Sequence, residues 1–143
     1  MLEVKTVDWN YTLERGLHRY LRLVAEAMGL PGNAYYVQSH PRAEAYLPLD
    51  HRLPAFPDHD AALVWDEYRG WALAVELDRD LLIAGYLPTP ETVPQPRVVT
   101  EFAKSVSDGG SPGTAEPART DTPQAVLTRL AAYASPLAAD NLW

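Results

Sequence analysis

Apolar residues first recur at helical spacing. Leu13, Leu17, Tyr20, Leu21, Val24 and Met28 fall on one stripe of residues 11–28, which predicts an amphipathic helix. Asn10 is placed to cap its start, because a side-chain amide oxygen can accept from a free N–H of the first turn. Gly29, with Pro31 just beyond, marks its end. Arg15, Arg19 and Arg22 share the opposite face with Glu26. This basic stripe reads either as a solvated helix surface or as an anion-binding one.

After Asn33 the period changes to two. Strands are predicted over 34–38, 43–49, 63–67, 71–77 and 81–87, with Ser39-His40-Pro41-Arg42 and Asp78-Arg79-Asp80 as turns. Tyr68-Arg69-Gly70 suits a three-residue hairpin loop with glycine in the left-handed position. That loop would set Trp65 opposite Leu73 and Leu63 opposite Val75, leaving Asp66, Ala72, Ala74 and Glu76 on the other face. A short helix follows over 97–106, around Val98, Val99, Phe102 and Ala103.

The stretch SDGGSPGTAEPARTD has almost no apolar bulk and is expected to be a flexible linker. Thr122-Pro123 then has the form of a helix start, and Val126, Leu127, Leu130, Ala131 and Ala134 supply a small apolar stripe. Ser135-Pro136 should stop this helix, and Asn141-Leu142-Trp143 is a candidate docking peptide. The division expected is an α+β domain over 1–106, a linker over 107–121, a C-terminal amphipathic helix over 122–136 and a tail over 137–143. The α+β domain should consist of an N-terminal helix on an antiparallel sheet of about five strands, with a short second helix.

Charge and composition narrow the partners. The chain has 143 residues, 47% of them hydrophobic, and a formal net charge of -7, which opposes unspecific attraction to phosphate backbones and anionic lipid. Nucleic acid and membrane are therefore disfavoured as partners. With no cysteine, disulfides, thiolate zinc sites and cysteine nucleophiles are excluded, and a cytoplasmic location is the natural expectation.

Candidate chemistry concentrates in the loop 50–60, DHRLPAFPDHD. Asp50, His51, Asp58, His59 and Asp60 are the residue types that bind zinc, manganese or iron, or that pair as an oriented base. They lack a known ligand spacing such as HExxH, and both acids also suit turn positions. Asp66 and Glu67 are neighbours on a strand, so their carboxylates point to opposite faces and cannot share one substrate. No phosphate loop or GxSxG elbow is present.

Tyrosine and tryptophan outnumber phenylalanine, and such rings suit pocket rims and interfaces. Tyr36, Tyr46, Trp65, Trp71 and Tyr86 on the sheet are candidate interface or pocket residues. Leu127 and Leu130 join them, since a tethered amphipathic helix must bury its stripe against this chain, a second copy or another protein.

The run LPLDHRLPAFPDHDAALVWDEYRGWALAVE, with MGLPGNAYYV before it and LPTPETVPQPRVV after, resembles a family of small actinobacterial proteins known as a domain of unknown function. The similarity spans about 13–106 and is most specific over PDHDAALVWDEYRGWALAVE, where Asp58, Asp60, Trp65, Asp66, Glu67, Gly70 and Trp71 match its pattern. It implies a compact intracellular α+β domain and brings no catalytic residues with it. His51 and His59 lie at positions that the pattern does not tie to histidine.

The function expected is that of a non-enzymatic cytoplasmic protein without a cofactor, binding a protein partner or itself, as an adaptor, chaperone-like or regulatory homodimer. The alternative is a small-molecule- or metal-binding protein, or a hydrolase, using the loop 50–60.

Overall fold

The computed structural model describes the backbone of residues 2–135 and the side chains of residues 11–135. The expected tail over 137–143, with Asn141, Leu142 and Trp143, lies outside the described residues, as does Pro136. The element order is α1 (Leu2–Ala27), β1 (Tyr36–Gln38), β2 (Glu44–Pro48), β3 (Ala61–Asp66), β4 (Gly70–Glu76), β5 (Leu81–Tyr86), α2 (Pro96–Ser107) and α3 (Pro123–Tyr133). The strands form one five-stranded antiparallel meander in sequence order. This is an α+β fold.

α1 runs through Asn10 instead of starting there. Neither glycine nor proline interrupts residues 2–15, and an asparagine inside a helix costs only about 0.7 kcal/mol relative to alanine. The C-terminus ends as expected: Leu30 N–H donates to the Ala25 carbonyl and Gly29 N–H to that of Glu26.

The helices cover one face of the sheet. Leu17, Tyr20, Leu21 and Val24 of α1, Val99, Phe102 and Val106 of α2, and Val126, Leu130 and Tyr133 of α3 pack with Leu63, Trp65, Trp71, Leu73 and Val75 of the sheet into one buried cluster. α3 lies against α1, so the apolar stripe of the C-terminal helix is buried within its own chain. Gly16 permits this closeness. A Cβ there would stand 1.7 Å from the Leu130 carbonyl oxygen. The Thr122 hydroxyl accepts from Ala125 N–H at 3.1 Å, a cap worth about 1 kcal/mol.

The β3–β4 register differs from expectation by two residues. Trp65 faces Trp71, Leu63 faces Leu73 and Asp66 faces Gly70, so the loop is Glu67-Tyr68-Arg69. The Asp66 carboxylate decides this, since one of its oxygens accepts from both Tyr68 and Arg69 N–H at 2.8 Å and tightens the turn. Gly70, at φ +77°, takes the left-handed position that closes it. A two-residue shift keeps every side chain on its predicted face, because the strand period is also two.

The stretch 107–121, expected to be a flexible linker, is held at two places, one on the edge of β5 and one on the segment between β5 and α2. Thr114 exchanges both backbone hydrogen bonds with Tyr86 at the edge of β5. Glycines allow that approach, because a Cβ on Gly113 would come within 2.0 Å of the Tyr86 oxygen. Further on, Asp121 accepts from the backbone N–H and hydroxyl of Thr92 at 2.9 and 2.7 Å, and Arg119 Nε donates to the same threonine at 2.8 Å. Composition suggested disorder because apolar bulk is missing. Backbone pairing and a largely buried ion pair supply the order instead.

Candidate functional site: the open face of the sheet

Strand alternation leaves Tyr36, Glu44, Tyr46, Ala62, Val64, Asp66, Ala72, Ala74, Glu76, Leu81, Ile83 and Tyr86 on the face away from the helices. Ala62, Ala72 and Ala74 are at most 1% exposed, yet they stand outside the cluster beneath the helices. They form a floor of small side chains. A bulge in β5, between the positions facing Leu73 and Ala74, adds local twist and curls the edge strand. The result is a concavity of about 400 Å³, floored by Val64 and Ala72 and flanked by Tyr36 and Tyr46 on one side and Leu81, Ile83 and Tyr86 on the other.

Its walls are aromatic on the β1–β2 side, whereas β5 supplies the aliphatic Leu81 and Ile83 beside the Tyr86 ring. The Tyr36 and Tyr46 rings are tilted against each other with centroids 6.3 Å apart. Burial, then a hydrogen bond to Glu76 and that carboxylate's charge, hold the Tyr46 phenol well above its usual range. Since Tyr46 is on β2 and Glu76 on β4, the tyrosine reaches across β3, where the small side chain of Ala62 leaves it room. One end of the concavity carries paired charges: Arg42 with Glu44 at 3.3 Å, and Arg69 with Asp66 at 3.6 Å.

Of the residues expected to bind, Tyr36, Tyr46 and Tyr86 lie on this face. Trp65 and Trp71 do not. Each is 2% exposed on the helix-covered side, and each indole N–H has an internal acceptor, the Thr92 carbonyl for Trp65 and the Tyr20 hydroxyl for Trp71. Leu130 is likewise unavailable, buried to 1% exposure against α1. Leu127 is half-buried beside a small hollow that His40 and Glu67 also line. Val64, Ala72, Leu81 and Ile83, not among the residues expected to bind, also line this concavity. The consecutive apolar run Leu81-Leu82-Ile83 on a last strand was the available signal.

The loop 50–60 is two tight turns, with Phe56 N–H donating to the Leu53 carbonyl and His59 N–H to that of Phe56. Arg52 braces it, contacting the Asp60 carboxylate at 3.3 Å and the Pro57 carbonyl at 3.1 Å. Asp58 and His59 are exposed. Among the described residues, no group of three or more His, Asp or Glu side chains is placed to hold a metal ion.

Asp50 and His51 do meet, at 3.0 Å, and the histidine's hydrogen bond holds the Asp50 carboxyl below its usual range. The other ring nitrogen of His51 contacts the Ser107 hydroxyl at the end of α2. This Asp-His-Ser chain resembles a hydrolytic triad in connectivity but lacks a triad's surroundings. Ser107 sits at a helix C-terminus, where carbonyls and the negative end of the dipole would oppose an oxyanion. The following N–H groups of Asp108, Gly109 and Gly110 all donate to α2 carbonyls, leaving no local backbone pair to hold one.

The family of unknown function DUF6292 matches residues 20–105. The chain belongs to this family. No curated protein and no solved structure matches it. The DUF6292 segment contains all five strands and most of α2, hence the whole open face, whereas the Arg119–Asp121 clasp and α3 lie beyond it. No helix among the described residues is long and apolar enough to cross a membrane.

Proposed function

We propose that this is a non-enzymatic, cytoplasmic protein-binding domain, whose partner on the open sheet face is a second copy of the same chain. The observation that carries this reading is the exposed apolar rim of the concavity. Tyr36 is 70% exposed, Leu81 45% and Ile83 38%, around the floor of Val64 and Ala72. Scattered exposed apolar side chains are ordinary, whereas a contiguous set lining a concavity marks a place for a partner.

The edge of β5 supports the same reading. Monomeric proteins blunt a sheet edge with charge, proline or a covering segment. Here the covering segment pairs only at Tyr86, and Leu81, Leu82 and Ile83 remain exposed beside it. A second copy offers the same apolar edge and face, which a two-fold interface would bury reciprocally. The C-terminal helix has no part in this proposal, because its stripe is used against α1. The net charge of -7 and the absence of cysteine fit a protein partner in a reducing compartment.

The test is mass in solution by sedimentation and light scattering across the micromolar range. A dimer that becomes a monomer in Ile83→Asp and Tyr36→Ser, with unchanged circular dichroism, is expected. A wild-type monomer at every concentration would remove self-association. A dimer untouched by both changes would move the interface elsewhere. The competing reading, a ligand-binding protein or hydrolase at the loop 50–60, rests on the His51–Ser107 contact alone.

A further inference from the structure

A second concavity, of about 410 Å³, lies on the far side of the molecule between α1 and the end of α3. Arg15, Arg19 and Arg22 line it on successive turns of α1, with His18, Tyr35 and Tyr133 completing the wall. The basic stripe is thus not an open helix face. The C-terminus of α3 and the Tyr35 ring turn it into a groove.

The arginines are unequally committed. Arg15 donates to the Ala134 carbonyl at 2.9 Å and lies over the Tyr11 ring. Arg22 contacts Glu26 at 3.6 Å, with both side chains more than half exposed, so that pair is weak. Arg19 lies between them. It is partly buried, its Nε is shut off from solvent, and it has no hydrogen-bond or ion-pair partner among the described residues. A charged group is normally paired, so a guanidinium that lines a concavity without a counter-charge points to a missing acceptor. The Tyr35 hydroxyl and His18 Nδ1, 3.1 Å apart, bring further polar atoms to the same wall. Burial raises the Tyr35 phenol above its usual range, so its O–H remains intact as a donor.

We infer that this groove binds the phosphate group of a small phosphorylated molecule, with Arg19 as the central ligand. Guanidinium forks match tetrahedral oxyanions in pairs, and this groove presents forks on both sides of Arg19. The size favours a small ligand over a polymer. From Arg15 to Arg22 the stripe extends only about 10 Å along the helix axis, and the chain around it is acidic overall. A volume of several hundred Å³ is that of a small-molecule pocket. This site is independent of the open sheet face.

Calorimetric titration of the full chain with inorganic phosphate, and with ribose 5-phosphate, at chloride-matched ionic strength tests the inference. Saturable binding of both is expected, tighter for the sugar phosphate. It should be lost in Arg19→Gln and kept in Arg97→Gln, an exposed arginine on α2. Circular dichroism of both variants should match the wild type. No saturable binding in the wild type, or equal binding in Arg19→Gln, would overturn the assignment. So would Arg19-dependent retention on a DNA duplex or on phosphatidylserine vesicles without any binding of the small phosphates.

Discussion

The Trp71 indole N–H donates to the Tyr20 hydroxyl at 3.0 Å, and that hydroxyl donates in turn to the Pro94 carbonyl. The Tyr20 ring also packs on Tyr133 with centroids 5.0 Å apart. One buried phenol therefore ties α1, β4, the segment before α2, and α3. Tyr20→Phe leaves an indole N–H and a carbonyl without their partner in the core. A loss of about 2 kcal/mol is expected, measured as a lower midpoint in urea with an unchanged slope. A change within experimental error would mean that this hydrogen-bond chain carries little of the stability.

Burial, the first cause, raises the Tyr20 phenol well above its ordinary range, and Tyr46 is raised as well. The sign follows from linkage. Below pH 10 the phenols are protonated in both states and the contribution is fully present. Above it the unfolded chain ionises first, so stability falls as pH rises toward the folded-state values. Denaturation midpoints should decline above pH 10, and less steeply in Tyr20→Phe and Tyr46→Phe than in the wild type. An equal decline in all three proteins would contradict this.

Gly16 is where α1 and α3 touch. The Cβ of Gly16→Ala would lie 1.7 Å from the Leu130 oxygen, which is backbone and has little room to yield. The helices must separate, at a cost of about 1–3 kcal/mol. Faster amide exchange in α3 than in the sheet should accompany the loss. Uniform exchange would show that α3 does not open separately.

Asp121 holds the end of the 107–121 stretch through Thr92 and Arg119, whose side chains with its own form a largely buried group. Asp121→Ala leaves the guanidinium without its counter-charge and is expected to cost about 3 kcal/mol. Limited proteolysis should then cut within 107–121 while α1 and the sheet stay intact. Resistance equal to the wild type would assign the order of this stretch to the backbone hydrogen bonds of Thr114 with Tyr86 and of Thr120 with Pro90.

Ser107 should not react with a fluorophosphonate probe, because the N–H groups that follow it are used by α2 carbonyls and its own hydroxyl donates to the Ala103 carbonyl. Labelling that disappears in His51→Ala would revive the hydrolase reading.

Much of this architecture is written in local pattern. The spacing from Leu13 to Met28 specifies the stripe of α1, and period two from Asn33 onward specifies five strands. Thr122-Pro123 marks the start of α3 because capping is a property of adjacent residues. The faces of β3 and β4 were legible even with the register two residues off, since parity survives such a shift.

What the local pattern cannot hold is which surfaces meet. Tryptophan reads equally well as an interface ring or a core ring, and only the Thr92 and Tyr20 acceptors place Trp65 and Trp71 inside. The stripe of α3 had three possible partners until Gly16 let it close on α1. The linker's composition predicted disorder, yet pairing with Tyr86 and the Asp121 clasp join residues far apart along the chain. Period and capping depend on residues a few positions apart, which a sequence displays directly. Burial, ion pairing and the concavity of the open face depend on distances that arise only after the chain has folded back on itself.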